Sequence, residues 1–170
     1  MPIIGLEPSC LFSFRDEFLA LGMGDAAQRL ANRAVMLEEF LAREAQDGAL
    51  NLTFVPTRRK ALLHTHCHQK AFGIESSVIA ALKLVPGLEV DTLASSCCGM
   101  AGSFGYQAKT LSVSKAMGEL TLLPAVRAAA SDAIIVADGT SCRHQIADGS
   151  GRKAVHVARI LAASLEGTKT

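Results

Sequence analysis

Ala133-Ile134-Ile135-Val136-Ala137-Asp138-Gly139-Thr140-Ser141-Cys142-Arg143 decides the fold. Its first five residues are short, apolar throughout and rich in β-branched side chains, as in a strand buried on both faces of a parallel sheet. Residues 138–143 then read as a loop opening a helix, so a cysteine follows closely on a strand. Ala61-Leu62-Leu63-His64-Thr65-His66 repeats the pattern, a strand ending at Cys67-His68-Gln69-Lys70. Leu88-Glu89-Val90-Asp91-Thr92-Leu93 alternates apolar and polar, like a half-buried strand, and delivers the chain to Cys97-Cys98-Gly99. Strand, loop and helix recur, so the class is α/β with a mainly parallel sheet. Sites in such sheets lie at the carboxyl ends of strands. Cys67, Cys97, Cys98 and Cys142 all stand there, whereas cysteines buried by chance would also fall within helices and strands.

The rest of the chain is read outward from this pattern. Pro2-Ile3-Ile4-Gly5-Leu6 is a short buried strand, turned by Glu7-Pro8, and Ser9 is placed to cap a helix over 10–19. Gly22-Met23-Gly24 breaks that helix. Asp25 is placed to cap a long one over 26–46, with Leu30, Val35, Leu37, Phe40 and Leu41 as its packed stripe. Glu38, Glu39, Arg43 and Glu44 make its solvated face. Residues 75–84 and 106–130 are helical, with Pro124 marking a break or the first turn of a second helix. Asp148-Gly149-Ser150-Gly151 reads as a turn, and residues 155–165 as a closing helix. Residues 2–10 also echo residues 134–142: an apolar strand, a turn, then Ser-Cys opening a helix. The echo divides the chain into 1–60, the end of a first unit plus a helical connector, 61–166, a second unit, and 167–170, a frayed tail. On that division the first unit begins outside this chain, and Met1 is not its natural start.

Composition narrows the function. Of 170 residues, 49% are hydrophobic and 19% charged, which suits a packed core and argues against disorder. A net charge of +1 gives no strong attraction to nucleic acid or anionic lipid, and without tryptophan a base-stacking platform is not expected. No apolar run reaches the ~20 residues of a membrane span. The start of the chain lacks the features of a signal peptide. The expected location is the cytoplasm, free or peripheral at the inner membrane face. There, five cysteines point to metal or redox chemistry more than to disulfides.

Adjacent cysteines bond each other poorly, because the short peptide link strains disulfide geometry. Cys97 and Cys98 can instead both face one soft partner, with Gly99, Gly102 and Gly105 leaving bare backbone for close approach. The candidate ligands are Cys67, Cys97, Cys98 and Cys142, with Cys10 as a further metal candidate from the first unit. Gly99 is a candidate for contact with the cofactor. His66 and His68 flank Cys67 and suit hydrogen-bonding support. His64, His144 and His156 read as core or surface histidines. Arg143 either neutralises an anionic cluster or is solvated. No Lys-Ser/Thr follows the glycines, as a phosphate loop would need.

Together these segments resemble the cysteine-rich CCG domain found in heterodisulfide reductase and in the iron–sulfur component of glycolate oxidase. The likeness runs through Gly5-Leu6-Glu7-Pro8-Ser9-Cys10, His66-Cys67-His68-Gln69-Lys70, Cys97-Cys98-Gly99-Met100-Ala101-Gly102-Ser103-Phe104-Gly105, Leu123-Pro124-Ala125-Val126-Arg127 and Asp138-Gly139-Thr140-Ser141-Cys142-Arg143. It is nearest to the C-terminal iron–sulfur region of large FAD-linked oxidases of D-2-hydroxy acids. The family pattern closes each repeat with Cys-x-x-Cys, and here Glu7 and Gly139 stand where the first of those cysteines would be. The resemblance implies an iron–sulfur cluster of 4Fe-4S type and FAD in a parent enzyme but not in this chain. It further implies a flavin dehydrogenase module as partner and an electron acceptor such as a quinone. No catalytic residue is expected within the chain, which alone would not be competent. The alternative is a structural or regulatory zinc domain using Cys67, Cys97 or Cys98, Cys142 and a histidine. A cysteine hydrolase with Cys67 as nucleophile and His66 or His68 as base is disfavoured, because triad members meet from distant positions.

Overall fold

The structure is a computed structural model describing residues 1–167; residues 168–170, most of the expected frayed tail, lie outside the described residues. The elements in order are β1 (Ile3–Gly5), α1 (Pro8–Leu11), α2 (Glu17–Ala20), α3 (Asp25–Ala31), β2 (Ala34–Met36), α4 (Leu37–Gln46), β3 (Lys60–Leu63), α5 (Cys67–Ala71), α6 (Glu75–Leu82) and β4 (Glu89–Thr92). They continue with α7 (Leu111–Leu120), α8 (Leu122–Ala128), β5 (Ile134–Val136), α9 (Thr140–Ser150), β6 (Ala154–Val155) and α10 (Val157–Ser164). The fold is α/β, as the sequence pattern indicates.

A four-stranded sheet in the order β4-β3-β5-β6 is parallel throughout, and β1 and β2 form a separate parallel pair. Successive side chains of a strand point to opposite faces. Ala61, Leu63 and Val136 therefore enter one core with Val78, Leu82 and Val157, while Ile135 and Ala137 enter another with Leu122, Val126 and Ile146. Helices cover both faces, which is why β5 carries no polar residue. The chain leaves β3 toward β4 but leaves β5 toward β6, in opposite directions. The sheet's topological switch point lies between β3 and β5, the place at which sites form in open α/β sheets.

Several local expectations give way to packing. The helix expected over 26–46 is interrupted by β2. A three-residue strand is too short to register in a helical periodicity, and its stabilisation is non-local: Ile3 pairs with Ala34 and Gly5 with Met36. Glu38 and Glu39 do not belong to a solvated face, since Glu38 is fully buried and Glu39 accepts from Arg15 Nη1 at 2.8 Å and from the Met36 N–H at 2.9 Å. Ser9 does not cap α1: Glu7 occupies that position, and the Ser9 hydroxyl donates to Glu7 Oε1 at 2.9 Å. Gly24, not Asp25, precedes α3, leaving Asp25 in the first turn, where an acid suits the helix dipole. The helix expected from Tyr106 starts at Leu111 and breaks at Thr121, with Pro124 in the first turn of α8, where its missing N–H costs nothing. Residues 148–150 are helical rather than a turn. A Cβ on Gly149 would lie 2.4 Å from Leu123 Cδ1, so that glycine serves close packing of α8 on α9. The closing helix starts at Val157 because residues 154–155 pair with β5.

The echo between residues 2–10 and 134–142 continues into the partner strands. Ile3 and Ile4 pair with Ala34 and Val35, and Ile135 and Val136 pair with Ala154 and Val155. Each partner strand then runs into a helix, α4 or α10.

Candidate metal centre

Three neighbouring parallel strands, β4, β3 and β5, end at one edge, and each is followed by cysteine. The His64 N–H donates to Val136 O at 2.9 Å and the Leu93 N–H to Leu63 O at 2.9 Å, so the ladder runs one residue past each strand. The chain then turns at His66, whose Nδ1 accepts from the His68 N–H at 3.2 Å and whose own N–H donates to Gln69 Oε1 at 3.0 Å. This capping starts α5 at Cys67, a helix too short to leave a periodic signal in the sequence. Cys142 stands in the first turn of α9. Gln145, one turn on, donates its side-chain amide to Cys98 O at 2.9 Å and to Ser114 O at 3.0 Å, tying the Cys97-Cys98 loop to α9 and α7.

The tightest gathering of donors is His64, Cys98 and Cys142, one ring nitrogen and two sulfurs lying within 4.8 Å of one another, and Cys67 and Cys97 stand close enough to shift the ionisation of these thiols and of each other. Cys98 and Cys142 are buried; Cys67 and Cys97 are half-buried. Thiol hydrogen bonds from Cys67 and Cys98 pull Cys97 well below its ordinary value, against its burial, and the Gly99 N–H helps from 3.3 Å. The Cys98 thiol does the same for Cys142, with His64 adding to it. Cys67 and Cys98, which give up those hydrogen bonds, are pushed up correspondingly. These opposed shifts mark thiols that ionise as one group in a partly water-excluded space, a set of soft donors that suits a thiophilic cation.

Cys10 is exposed on α1, outside the close group of His64, Cys98 and Cys142. Gly99 has φ +94°, and a Cβ there would lie 2.3 Å from Ser114 O. Its bareness therefore serves close approach to α7, while its N–H serves Cys97. A Cβ on Gly139 would lie 2.4 Å from His66 Cδ2 and 3.2 Å from Cys142 Sγ. The His66 ring occupies the room that a side chain at 139 would need. Glu7, the other departure from the Cys-x-x-Cys pattern, reaches across to the same loop. Its Oε2 accepts from the Thr140 N–H at 2.9 Å and the Thr140 hydroxyl at 2.8 Å; these bonds hold its pKa low although burial opposes them. Burial holds the His66 imidazole below its ordinary value. Arg143 is engaged by the loop itself, donating to Ala137 O at 3.1 Å, Asp138 O and Thr140 Oγ1 at 3.0 Å.

Two features are not legible in the sequence pattern. His64, which reads there as a core or surface histidine, places a ring nitrogen within 4.8 Å of the Cys98 and Cys142 sulfurs. Gln69 is fully buried and joins two loops, accepting from the His66 N–H and donating to Asp138 Oδ2 at 2.8 Å. The run His64-Thr65-His66-Cys67-His68 is the one local sign of the first; nothing local marks the second. A cavity of about 630 Å³ bordered by Arg59, Ile134, Arg152 and Arg159 lies at the opposite, amino-terminal edge, away from the thiols.

The chain is 28% identical over 165 residues to a subunit of the anaerobic glycerol-3-phosphate dehydrogenase of Escherichia coli strain K12, covering 97% of this chain and 41% of that protein. It is 27% identical over 155 residues to D-2-hydroxyglutarate dehydrogenase of the same strain, covering 89% of this chain and 14% of that protein. The chain is homologous to part of these dehydrogenases. The corresponding enzyme of Pseudomonas putida is 25% identical over 161 residues, again with 14% of its length covered. The chain thus spans less than half of each relative. No family model and no solved structure matches it. Among the described residues no helix is long and apolar enough to cross a membrane. The donor set fits the group that the CCG resemblance implies: cysteine sulfurs suit iron–sulfur ligation, and a ring nitrogen of His64 lies close to two of them, Cys98 and Cys142.

Proposed function

We propose that this chain is the electron-transfer module of a larger flavin-linked oxidoreductase, a CCG-type domain holding an iron–sulfur cluster, of 4Fe-4S type, with Cys67, Cys97, Cys98 and Cys142. The observation that carries the reading is that all four cysteines follow strands at the carboxyl edge of one parallel sheet, around its switch point, with Cys98 and Cys142 in one close group of donors. Homology to parts of two kinds of dehydrogenase supports it. Such a cluster, when bound, supplies one-electron redox chemistry between a flavin and an acceptor. The chain's own part is to present thiolates, to exclude water through Cys98 and Cys142, and to fix the loops through Gln145 and Gln69. The parent oxidises a 2-hydroxy acid at a flavin module outside this chain and passes electrons to an acceptor such as a quinone. Residues 1–60 are the end of a first unit and 61–166 a second, a division supported by the matched strand pairs β1–β2 and β5–β6.

Anaerobic reconstitution with iron and sulfide tests the reading. The wild type turns brown, with iron and acid-labile sulfide in stoichiometric amounts. Cys97→Ser and Cys98→Ser bleach it, while Cys10→Ser keeps most of the colour, because Cys10 is exposed whereas Cys98 and Cys142 are buried. A colourless protein carrying stoichiometric zinc after the same treatment would replace this reading with a zinc domain.

A further inference from the structure

We infer that His64 supplies a nitrogen ligand to the metal centre, bonding through Nε2 alongside Cys98 and Cys142. The inference rests on the metal-centre reading of the same site and changes its ligand set: an atom held by His64, Cys98 and Cys142 has room for one sulfide, unlike the irons of a 4Fe-4S cube that each take one cysteine.

His64 follows β3 directly, and its N–H is held by Val136 O at 2.9 Å, so its Cα is fixed against the central pair of strands. Its side chain is 1% exposed. Nδ1 lies 2.7 Å from Ser95 Oγ, and Ser95 is itself held through its N–H to Leu93 O at 2.7 Å and through its carbonyl by Lys70 Nζ. An imidazole anchored at one nitrogen by an outer partner is the arrangement that orients a metal-binding histidine and leaves the other nitrogen's lone pair available. That other nitrogen, Nε2, is buried and has no hydrogen-bond partner among the described residues. A buried polar atom left unpaired is costly, and a bond to a metal removes that cost.

Spacing supplies the second support. A ring nitrogen of His64 and the Cys98 and Cys142 sulfurs lie within 4.8 Å of one another, and with Nδ1 engaged by Ser95 the nitrogen left to bond is Nε2. One tetrahedral metal atom with bonds of ~2.0–2.3 Å sets its ligands roughly 3.5–3.8 Å apart, so the trio can share a single atom with little movement. The neighbouring histidines are placed differently. His66 Nδ1 is engaged by the His68 N–H, and His68, although its Nδ1 lacks a partner, belongs to no such close group of donors among the described residues.

The test uses the whole chain labelled with ¹⁵N-histidine, reconstituted anaerobically with iron and sulfide and read by pulsed electron paramagnetic resonance. A directly coupled histidine nitrogen is expected in the wild type and in His66→Ala, and its loss in His64→Ala. His64→Cys should retain full iron and shift the reduction potential downward, because a thiolate adds negative charge where an imidazole adds none. His64→Gln keeps a hydrogen-bond donor without a comparable ligand, so wild-type iron content and potential in that variant would reduce His64 to a hydrogen-bond donor and overturn the assignment. A wild-type cluster with no coupled nitrogen overturns it too, and leaves the electron-transfer reading standing. A wild type that takes up no iron and sulfide overturns the electron-transfer reading and this inference together, a different result from the other two.

Discussion

Glu38 should make folding pH-dependent over a range where most carboxylates do not. It stands in the first turn of α4, fully buried, with neither carboxylate oxygen hydrogen-bonded among the described residues. Burial, then the Asp138 carboxylate nearby, raises its pKa from 4.5 to about 8. Asp138 is satisfied by Gln69 Nε2 at 2.8 Å and the Val157 N–H at 3.0 Å, and His156 by Leu6 O at 2.7 Å and the Ala158 N–H at 2.9 Å, so neither relieves Glu38. Between pH 4.5 and 8 the folded protein keeps a proton on Glu38 that the unfolded chain has released. Folding takes up that proton, so this contribution to stability is complete below pH 4.5 and falls as pH rises, by about 1.4 kcal/mol per unit at most. Over the whole window the loss is at most about 5 kcal/mol. Glu38→Gln keeps the shape without the ionisation. Urea unfolding of both proteins at about pH 5.5, 6.5, 7.5 and 8.5 isolates the effect, since all other groups cancel in the difference. The variant should gain on the wild type by roughly 3 kcal/mol between about pH 5.5 and 7.5. A difference that stays flat across the series would show that Glu38 folds in its charged form and would refute this account.

Gly99→Ala should destabilise the fold by about 2–5 kcal/mol in urea unfolding, combining a left-handed backbone penalty with overlap on Ser114 O; a loss under about 0.5 kcal/mol would mean that the loop is free to move off α7. Gln69→Leu strips partners from the His66 N–H and Asp138 Oδ2, and should cost about 3 kcal/mol while slowing amide exchange nowhere and speeding it at His66. Unchanged exchange at His66 would count against the bridge. Gly139→Ala should displace the His66 ring, so the His66 resonances should shift more than those of His156 in a two-dimensional imidazole spectrum. The isolated chain should neither bind FAD nor reduce a dye with any 2-hydroxy acid; either activity would contradict the proposal that the flavin module lies outside it.

Residues 133–137, with their unbroken apolar run, were enough to indicate a buried parallel strand, and the cysteines after residues 61–66, 88–93 and 133–137 indicated one edge of one sheet. Both inferences are local: alternation and apolar runs report how a segment meets its surroundings, and parallel strands share a carboxyl edge whatever their order. Tertiary structure alone decided that β3 and β5 are neighbours, because strand order depends on which way each crossover runs, and that adjacency brings the loops of Cys67 and Cys142 together. It alone decided that Ala34-Val35-Met36 pairs with β1 inside a helical pattern, and that Glu38 is buried while Glu44, on the same helix, is not. His64 is the sharpest case. Its chemistry depends on a Ser95 hydroxyl 31 residues away and on sulfurs from two other loops, none of which a pattern along the chain can bring to one place.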